Sequence, residues 1–311
     1  MNALGLVSLA GMAVTGAALL AMRLEARLGG ADSPFVRWVK APLDAVSFAV
    51  RTRLRITRGP YVLAHEAKDS LFAYLDADGA ARAYAREAVL RQRYDLDAYA
   101  AHSTQDDYRE VLYHLDVLDE LGALPELRPQ AGAASLRALD VGSKDFRYAL
   151  AIERWITRKT RQNVQLRGVE IDGNGVYRNL YTRRDRAEAY CRAVGPHVAF
   201  DVHDFLTYAS PTLDLLTVFF PFVLPFALVA WGLPMGTFAP EKFFARYKEL
   251  VRPGGLLLIA NQSAEEKARA IELLEAVGGF RLLVAQPMRS TLVNYQAEID
   301  ERHVHLWVRE A

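Results

Sequence analysis

The sequence predicts an α/β fold, a mostly parallel seven-stranded sheet from Leu136 to the C-terminus, with a helical region and an apolar helix ahead of it. Two observations predict it. From Leu136 onward, short apolar runs alternate with helical patterns, the signature of a parallel sheet covered on both faces. Several of those runs stop at a carboxylate or a glycine, where a strand hands over to a loop and a helix.

Taken in order, residues 1–30 come first. Ala3 to Met22 holds no charged residue, about enough helix to cross a hydrocarbon core of about 30 Å. Only Met1 and Asn2 precede the run, so the basic start of a signal peptide is missing. The basic residues follow it, from Arg23, Arg27 and Arg37 to Arg58. That bias predicts a membrane anchor with the rest of the chain in the cytoplasm. Small residues such as Gly5, Gly11 and Gly16 would let such helices pair, and a homodimer is among the expectations. An interfacial or packed helix is the alternative reading.

Residues 31–60 mix Phe35, Trp38, Val46 and Phe48 with arginines. This basic amphipathic pattern suits a juxtamembrane segment on anionic lipid or a helix packed on the domain. Residues 61–130 read as a helical lid or substrate region. The stretch from Ser103 to Leu121 is its clearest helix, capped by Ser103, with Val111, Leu112, Leu115 and Leu118 on one face and Gly122 with Pro125 after it. Tyr108 and His114, on or beside that face, read as core or boundary side chains. A Pro, Gly and Ala linker from Arg128 to Ser135 closes the region, and residues 131–311 form the main domain.

In that domain the predicted strands are Leu136–Val141, Val164–Ile171, His197–Phe205, Leu213–Phe222, Leu256–Gln262, Arg281–Pro287 and His303–Glu310. Helices are predicted over Phe146–Arg158, Asp185–Val194, Pro240–Val251 and Ala264–Val277. Arg252 to Gly255 reads as a turn into the fifth strand. The apolar stretch from Leu215 to Met235 has the hydropathy of a membrane helix. A span there would divide one sheet across a bilayer, so it reads as a buried strand followed by an apolar loop or short helix over 222–238.

Composition sets outer limits. A formal net charge of +1 over 311 residues gives no reason to expect nucleic acid as a partner. The single Cys191 excludes an intrachain disulfide and reads as a small buried side chain. His303 and His305 share a strand face without a third ligand at metal spacing, so no metal is expected. Arg178 to Arg186 is a basic run that suits an anionic group or a solvated helix face.

The order of elements resembles the class I S-adenosylmethionine-dependent methyltransferases, a Rossmann-like fold. The residues that carry the resemblance are LDVG at Leu139–Gly142, GVEID at Gly168–Asp172, HDF at His203–Phe205, LDLLTVFFPF from Leu213, and LVRPGGLLLI at Leu250–Ile259. It implies a closing antiparallel strand hairpin and S-adenosyl-L-methionine as cofactor. The cofactor pocket it implies comprises Asp140, Val141, Gly142, Ser143, Lys144, Glu170, Ile171, Asp204, Phe205 and Phe219. Asp140 lies near the amino-acid end, Glu170 (with Asp172 as competitor) on the ribose hydroxyls, Asp204 on the adenine amine and Phe205 on its ring. Many members have glycines where this chain has Lys144 and Phe146.

The implied activity is in-line methyl transfer to a small-molecule, lipid-like or otherwise hydrophobic acceptor. His203, Tyr208, Tyr181, His303 and His305 are conceivable bases, none of them singled out. Two other classes share the fold logic: a nicotinamide-dependent oxidoreductase would need a G-x-G-x-x-G turn, which is absent, and a membrane-anchored, noncatalytic scaffold would keep the sheet without the cofactor.

Overall fold

The computed structural model describes residues 34–53, 58–292 and 302–311. The predicted N-terminal membrane helix lies outside the described residues, and no described helix is long and apolar enough to cross a membrane. The described residues divide into two compact units. One holds 34–53 with 222–240, the other 58–221 with 241–292 and 302–311.

In the first unit, α1 (Pro34–Arg53) meets α7 (Pro225–Ala230), a single short helix with proline at its start. Arg51 Nη2 donates to the Gly232 carbonyl at 3.0 Å. The apolar run from Leu215 to Met235 is thus most of a strand ending at Phe219, a short helix and the start of a 3₁₀ turn at Met235–Thr237, not a span.

The second unit opens with α2 (Ala77–Tyr94), α3 (Asp97–Ala101) and α4 (Gln105–Asp119). Residues 61–75 are not helical, which departs from the sequence expectation. The cap of α4 is also one residue later than expected. Thr104 accepts the Asp107 amide at 3.0 Å, while the Ser103 hydroxyl turns back to the Tyr99 carbonyl at 2.7 Å. Either hydroxyl satisfies the chemistry of an N-cap, and backbone geometry decides which is used.

Next come β1 (Leu136–Val141), α5 (Ala149–Thr160), β2 (Val164–Glu170), α6 (Arg183–Val194), β3 (Val198–Val202), β4 (Leu213–Phe219), α8 (Pro240–Leu250), β5 (Val251–Asn261), α9 (Ala264–Val277), β6 (Phe280–Pro287) and β7 (His303–Arg309). The strand order is β3-β2-β1-β4-β5-β7-β6. β1 to β5 are parallel, and β7 runs antiparallel to both β5 and β6. This is the mixed, Rossmann-like sheet with a closing hairpin that the sequence leads one to expect. Its central strand β4 is buried at every position, as expected of a strand covered on both faces.

Two boundaries are informative. α5 starts at Ala149 instead of Phe146, because the residues between are spent on a tight loop described below. β5 starts at Val251, so RPGG lies inside the strand and not ahead of it. The pairing with β4 shifts register between Leu213 and Leu215, and Gly254 takes φ +74°. A Cβ on Gly255 would stand 2.9 Å from the Arg252 carbonyl and 3.1 Å from that of Asp214. The irregularity is a bulge, pinned by the buried Asp214 carboxylate, which accepts from Arg252 Nε at 2.6 Å and the Arg137 amide at 2.8 Å.

Candidate functional site

The chain leaves β1 toward β2 and β3 on one side and later toward β4 and β5 on the other. The switch point between β1 and β4 is where open α/β sheets bind ligands, outside the carboxyl ends of the strands. Asp140 and Val141 end β1, Glu170 ends β2, Asp204 follows β3 by two residues, and Phe219 ends β4. The sheet therefore gathers the predicted residues along one edge.

The loop after β1 has an unusual backbone. Gly142, Lys144 and Phe146 all have positive φ, at 76°, 54° and 52°. The alternate left-handed conformation that glycine allows is kept at two positions that hold side chains. Left-handed backbone costs a non-glycine residue roughly 1–2 kcal/mol, and local bonds offset this. The Gly142 and Ser143 amides donate to the Val169 carbonyl at 2.9 and 3.3 Å, and the Phe146 amide donates to Ser143 O at 2.7 Å. The Lys144 amide donates to Glu170 Oε2 at 2.9 Å. Phe146 is fully buried beside Phe200 and Tyr148. It fills a hollow over Gly168, where an added Cβ would stand 2.8 Å from its Cδ1. Beyond Gly142, by contrast, a Cβ would meet nothing within 4 Å.

Asp140 is completely buried. In register beside it on β4, Thr217 donates its hydroxyl to Oδ1 at 2.6 Å, and Tyr148 donates its own to Oδ2 at 2.9 Å. Burial pushes the Asp140 carboxyl up to about 7, against the pull of those donors. Tyr148 in turn stacks on His114 of α4 at 4.5 Å, and Phe219 meets both rings edge-on at 5.1 and 5.0 Å. Burial lowers the His114 pKa, so the imidazole is neutral. With Nδ1–H given to the Glu110 carbonyl at 2.8 Å, Nε2 holds the lone pair. Thr217 and Tyr148 on Asp140, and His114 packed on Tyr148, are the side chains that sequence reasoning missed.

Glu170 is buried and its carboxylate is held at both oxygens. Oε2 takes the Lys144 amide and Oε1 takes the Asp172 amide at 2.8 Å. Burial raises its pKa, with the Arg183 guanidinium and these amides opposing the rise. Arg183 Nη1 stands 3.1 Å from Asp172 Oδ2 and 3.9 Å from Glu170 Oε1. Of the two competing acids, Asp172 is the one ion-paired closely. Asp204 is half-buried and accepts the Leu206 amide at 2.9 Å, capping the turn at Phe205–Thr207. Phe205 is buried and stacked on Phe243 at 5.7 Å. Val141 and Ser143 are buried in the loop, and Ile171 is half-buried after Glu170.

Tyr208, His203, Tyr181 and His305 are accounted for locally. Tyr208 donates to Asp201 at 2.6 Å, and burial pushes its hydroxyl up to about 12. His203 is exposed and bonded through Nδ1 to the Asp204 carbonyl. Tyr181 packs edge-on against Tyr61 at 4.9 Å. His305 is buried, with Nε2 on Asn261 Oδ1 at 2.7 Å and Nδ1 accepting from Trp307 Nε1; burial pushes it down to about 3. The basic run is largely consumed inside the unit, since besides Arg183, Arg184 pairs with Glu188 and Arg186 with Asp145. Burial pushes the Cys191 thiol up to about 12, in keeping with a packing role. Among the described residues, no group of three His, Cys, Asp or Glu side chains could hold a metal ion.

No protein-family model matches the chain, and no curated protein matches its sequence. The chain is similar at low identity to several solved structures. The N-methyltransferase NodS from Bradyrhizobium japonicum WM9 is 13% identical, with 67% of this chain and 100% of that one covered, at a TM-score of 0.42. A SAM-dependent methyltransferase from Aquifex aeolicus is 15% identical over 63% of this chain and 89% of that one, also at 0.42. The CcbJ methyltransferase from Streptomyces caelestis is 12% identical over 64% and 90%, at 0.40. At these scores the likenesses bear on no individual residue or activity of this chain.

Proposed function

We propose that the chain binds S-adenosyl-L-methionine at the β1/β4 edge and transfers its methyl group to a small, hydrophobic acceptor. One observation carries the reading: the strand-end carboxylates Asp140, Glu170 and Asp204 line one sheet edge around a loop in the alternate left-handed conformation. The residues present fit the cofactor. Space above Gly142 is open to a backbone-close ligand. Glu170 Oε1 and Oε2 each accept one amide, which leaves a lone pair on each for a ribose hydroxyl. When bound, the cofactor supplies a methyl on an already activated leaving group.

The chain's own task is then alignment and exclusion of water. Glu170 orients the ribose. Asp140, held by Thr217 and Tyr148, offers negative charge to the cationic end once it loses its proton. His114, Tyr148 and Phe219 form a dry aromatic wall beside it. His114 Nε2 is a neutral acceptor on that wall, suited to a proton from the acceptor where the chemistry needs one. The apolar composition of 222–238 supports a hydrophobic acceptor. The charge-free stretch Ala3–Met22 and the arginines after it support tethering to a membrane with the catalytic unit in the cytoplasm, and its small residues support a homodimer.

Calorimetry of the full chain in neutral detergent with S-adenosylmethionine and S-adenosylhomocysteine tests this. Binding is expected for both, weakened by Glu170→Ala and Asp140→Ala. A folded protein that gives no heat with either ligand overturns the reading. It would favour the second one, a noncatalytic scaffold, for which the specific observation is that all four oxygens of Asp140 and Glu170 already accept a bond from the chain itself.

A further inference from the structure

A cleft lies at the end of the same unit opposite Asp140 and Glu170. Its walls are the C-terminal end of α2, one face of α5 and the residues just ahead of β2, and its volume is about 540 Å³. That is within the roughly 300–1,000 Å³ typical of small-molecule sites. Asn163 of its lining immediately precedes the first residue of β2, so the cleft opens at the amino ends of the strands, whereas Asp140 and Glu170 stand at the carboxyl ends. Nothing in methyl transfer calls for it.

Its charge is lopsided. Arg93, Arg154, Arg158 and Arg161 line it against the single acid Asp95. Arg154 and Arg158 follow the i, i+4 spacing that puts side chains on one helix face, and Arg161 caps the helix in left-handed backbone at φ 56°. Arg93 is neutralised by the buried Asp119, and Arg154 Nη1 stands 3.5 Å from Glu153. Arg154 Nε, however, is buried without a hydrogen-bond partner. The guanidinium groups of Arg158 and Arg161 are exposed and make no ion pair or hydrogen bond among the described residues.

Basic residues in a last turn ordinarily serve the helix dipole and its open carbonyls. Here the Thr157 carbonyl accepts the Arg161 backbone amide at 2.9 Å, and neither the Arg158 nor the Arg161 side chain bonds a carbonyl of that turn among the described residues. The arginine side chains are left over, on the wall of a cleft, beside the amide side chains of Gln162 and Asn163. A planar guanidinium offers paired N–H donors that match a phosphoryl group's oxygens two at a time.

We propose that this cleft binds a phosphoryl-bearing anion, either a soluble phosphate ester or a phospholipid headgroup. Arg158 and Arg161 bind the phosphoryl oxygens, and Gln162 and Asn163 contact the neutral part of the ligand. Two probes of the full chain in neutral detergent or reconstituted form distinguish the sources: calorimetry with inorganic pyrophosphate, and flotation with vesicles of phosphatidylglycerol against phosphatidylcholine. The variant is Arg158→Ala with Arg161→Ala, its fold checked by circular dichroism. Arg184→Ala, another arginine of the same unit, is the control.

Saturable pyrophosphate binding that falls at least about tenfold in the double variant and holds in the control supports the proposal, since each charge-assisted pair is among the stronger hydrogen bonds. If retention on phosphatidylglycerol falls with it, the headgroup is the ligand. If retention is unchanged, the ligand is soluble. Equal pyrophosphate affinity in parent and double variant overturns the proposal, as does no pyrophosphate binding together with equal vesicle retention.

Discussion

Replacing Asp140 with asparagine isolates the largest electrostatic cost at the sheet edge. The carboxyl is fully buried, and the Thr217 and Tyr148 hydroxyls offset only part of the lost hydration, so its pKa stands at about 7 against 3.8 for an exposed aspartate. Between those values the folded chain keeps a proton that the unfolded chain has released. Stability from this group is therefore fully present below the unfolded value and is lost as pH rises through the folded one. The size is on the order of 4 kcal/mol at 1.36 kcal/mol per unit. Asparagine cannot ionise, and it gives up one acceptor oxygen, a pH-independent loss of about 1 kcal/mol. Urea unfolding followed by the fluorescence of buried Trp155, for parent and Asp140→Asn at about pH 5 and about pH 8, measures the difference. The variant is expected to lie within about 1 kcal/mol of the parent at the lower pH, where the parent has lost only part of this stability, and to be more stable by about 3 kcal/mol at the higher one. Two profiles that stay parallel across the range would refute the reasoning, because Glu170 and every other titrating group is common to both.

Lys144→Gly is expected to raise stability by up to about 1 kcal/mol, since φ of 54° suits glycine and the backbone bond to Glu170 is unaffected; denaturant unfolding reads it. Gly168→Ala drives a methyl to 2.8 Å from the Phe146 ring and is expected to cost about 1–3 kcal/mol, a loss that thermal unfolding detects. His305 works in the opposite pH direction to Asp140. Its folded value of about 3 lies below its ordinary 6.5, so stability falls as pH drops through that window, and His305→Gln should flatten the acid limb of a plot of melting temperature against pH. Thr182→Ala removes a capping box in which Thr182 and Asp185 each accept the other's amide, and is expected to cost about 1 kcal/mol by the same assay.

What the sequence makes legible here depends on whether a feature is local. β1 at Leu136–Val141 and α9 at Ala264–Val277 coincide with the predicted bounds, because apolar pattern, cap and terminal glycine all agree there. The RPGG bulge reads as a turn, because its cause is Asp214 on the neighbouring strand. Lys144 and Phe146 give no sign of left-handed backbone, since only glycine announces it and the bonds that hold it come from Val169 and Ser143 and from Glu170. His114 is hidden for a similar reason. Its place in an apolar face reads correctly as buried, but periodicity says nothing about the ring it meets, Tyr148, which lies beyond a linker and a strand.

The contact between Phe146 and Gly168 also constrains how such a loop could arise by mutation. A phenyl ring at the first position needs hydrogen alone at the second, 22 residues on in the next strand, because a methyl there would overlap the ring. Neither change is comfortable by itself: glycine at both positions leaves a hole the size of an aromatic ring, and side chains at both collide. Related chains are thus expected to vary the two sites as a pair, with bulk migrating from one to the other while the loop's path stays fixed. In an alignment, that pairing would identify this version of the loop where a search for glycines after the first strand passes it over.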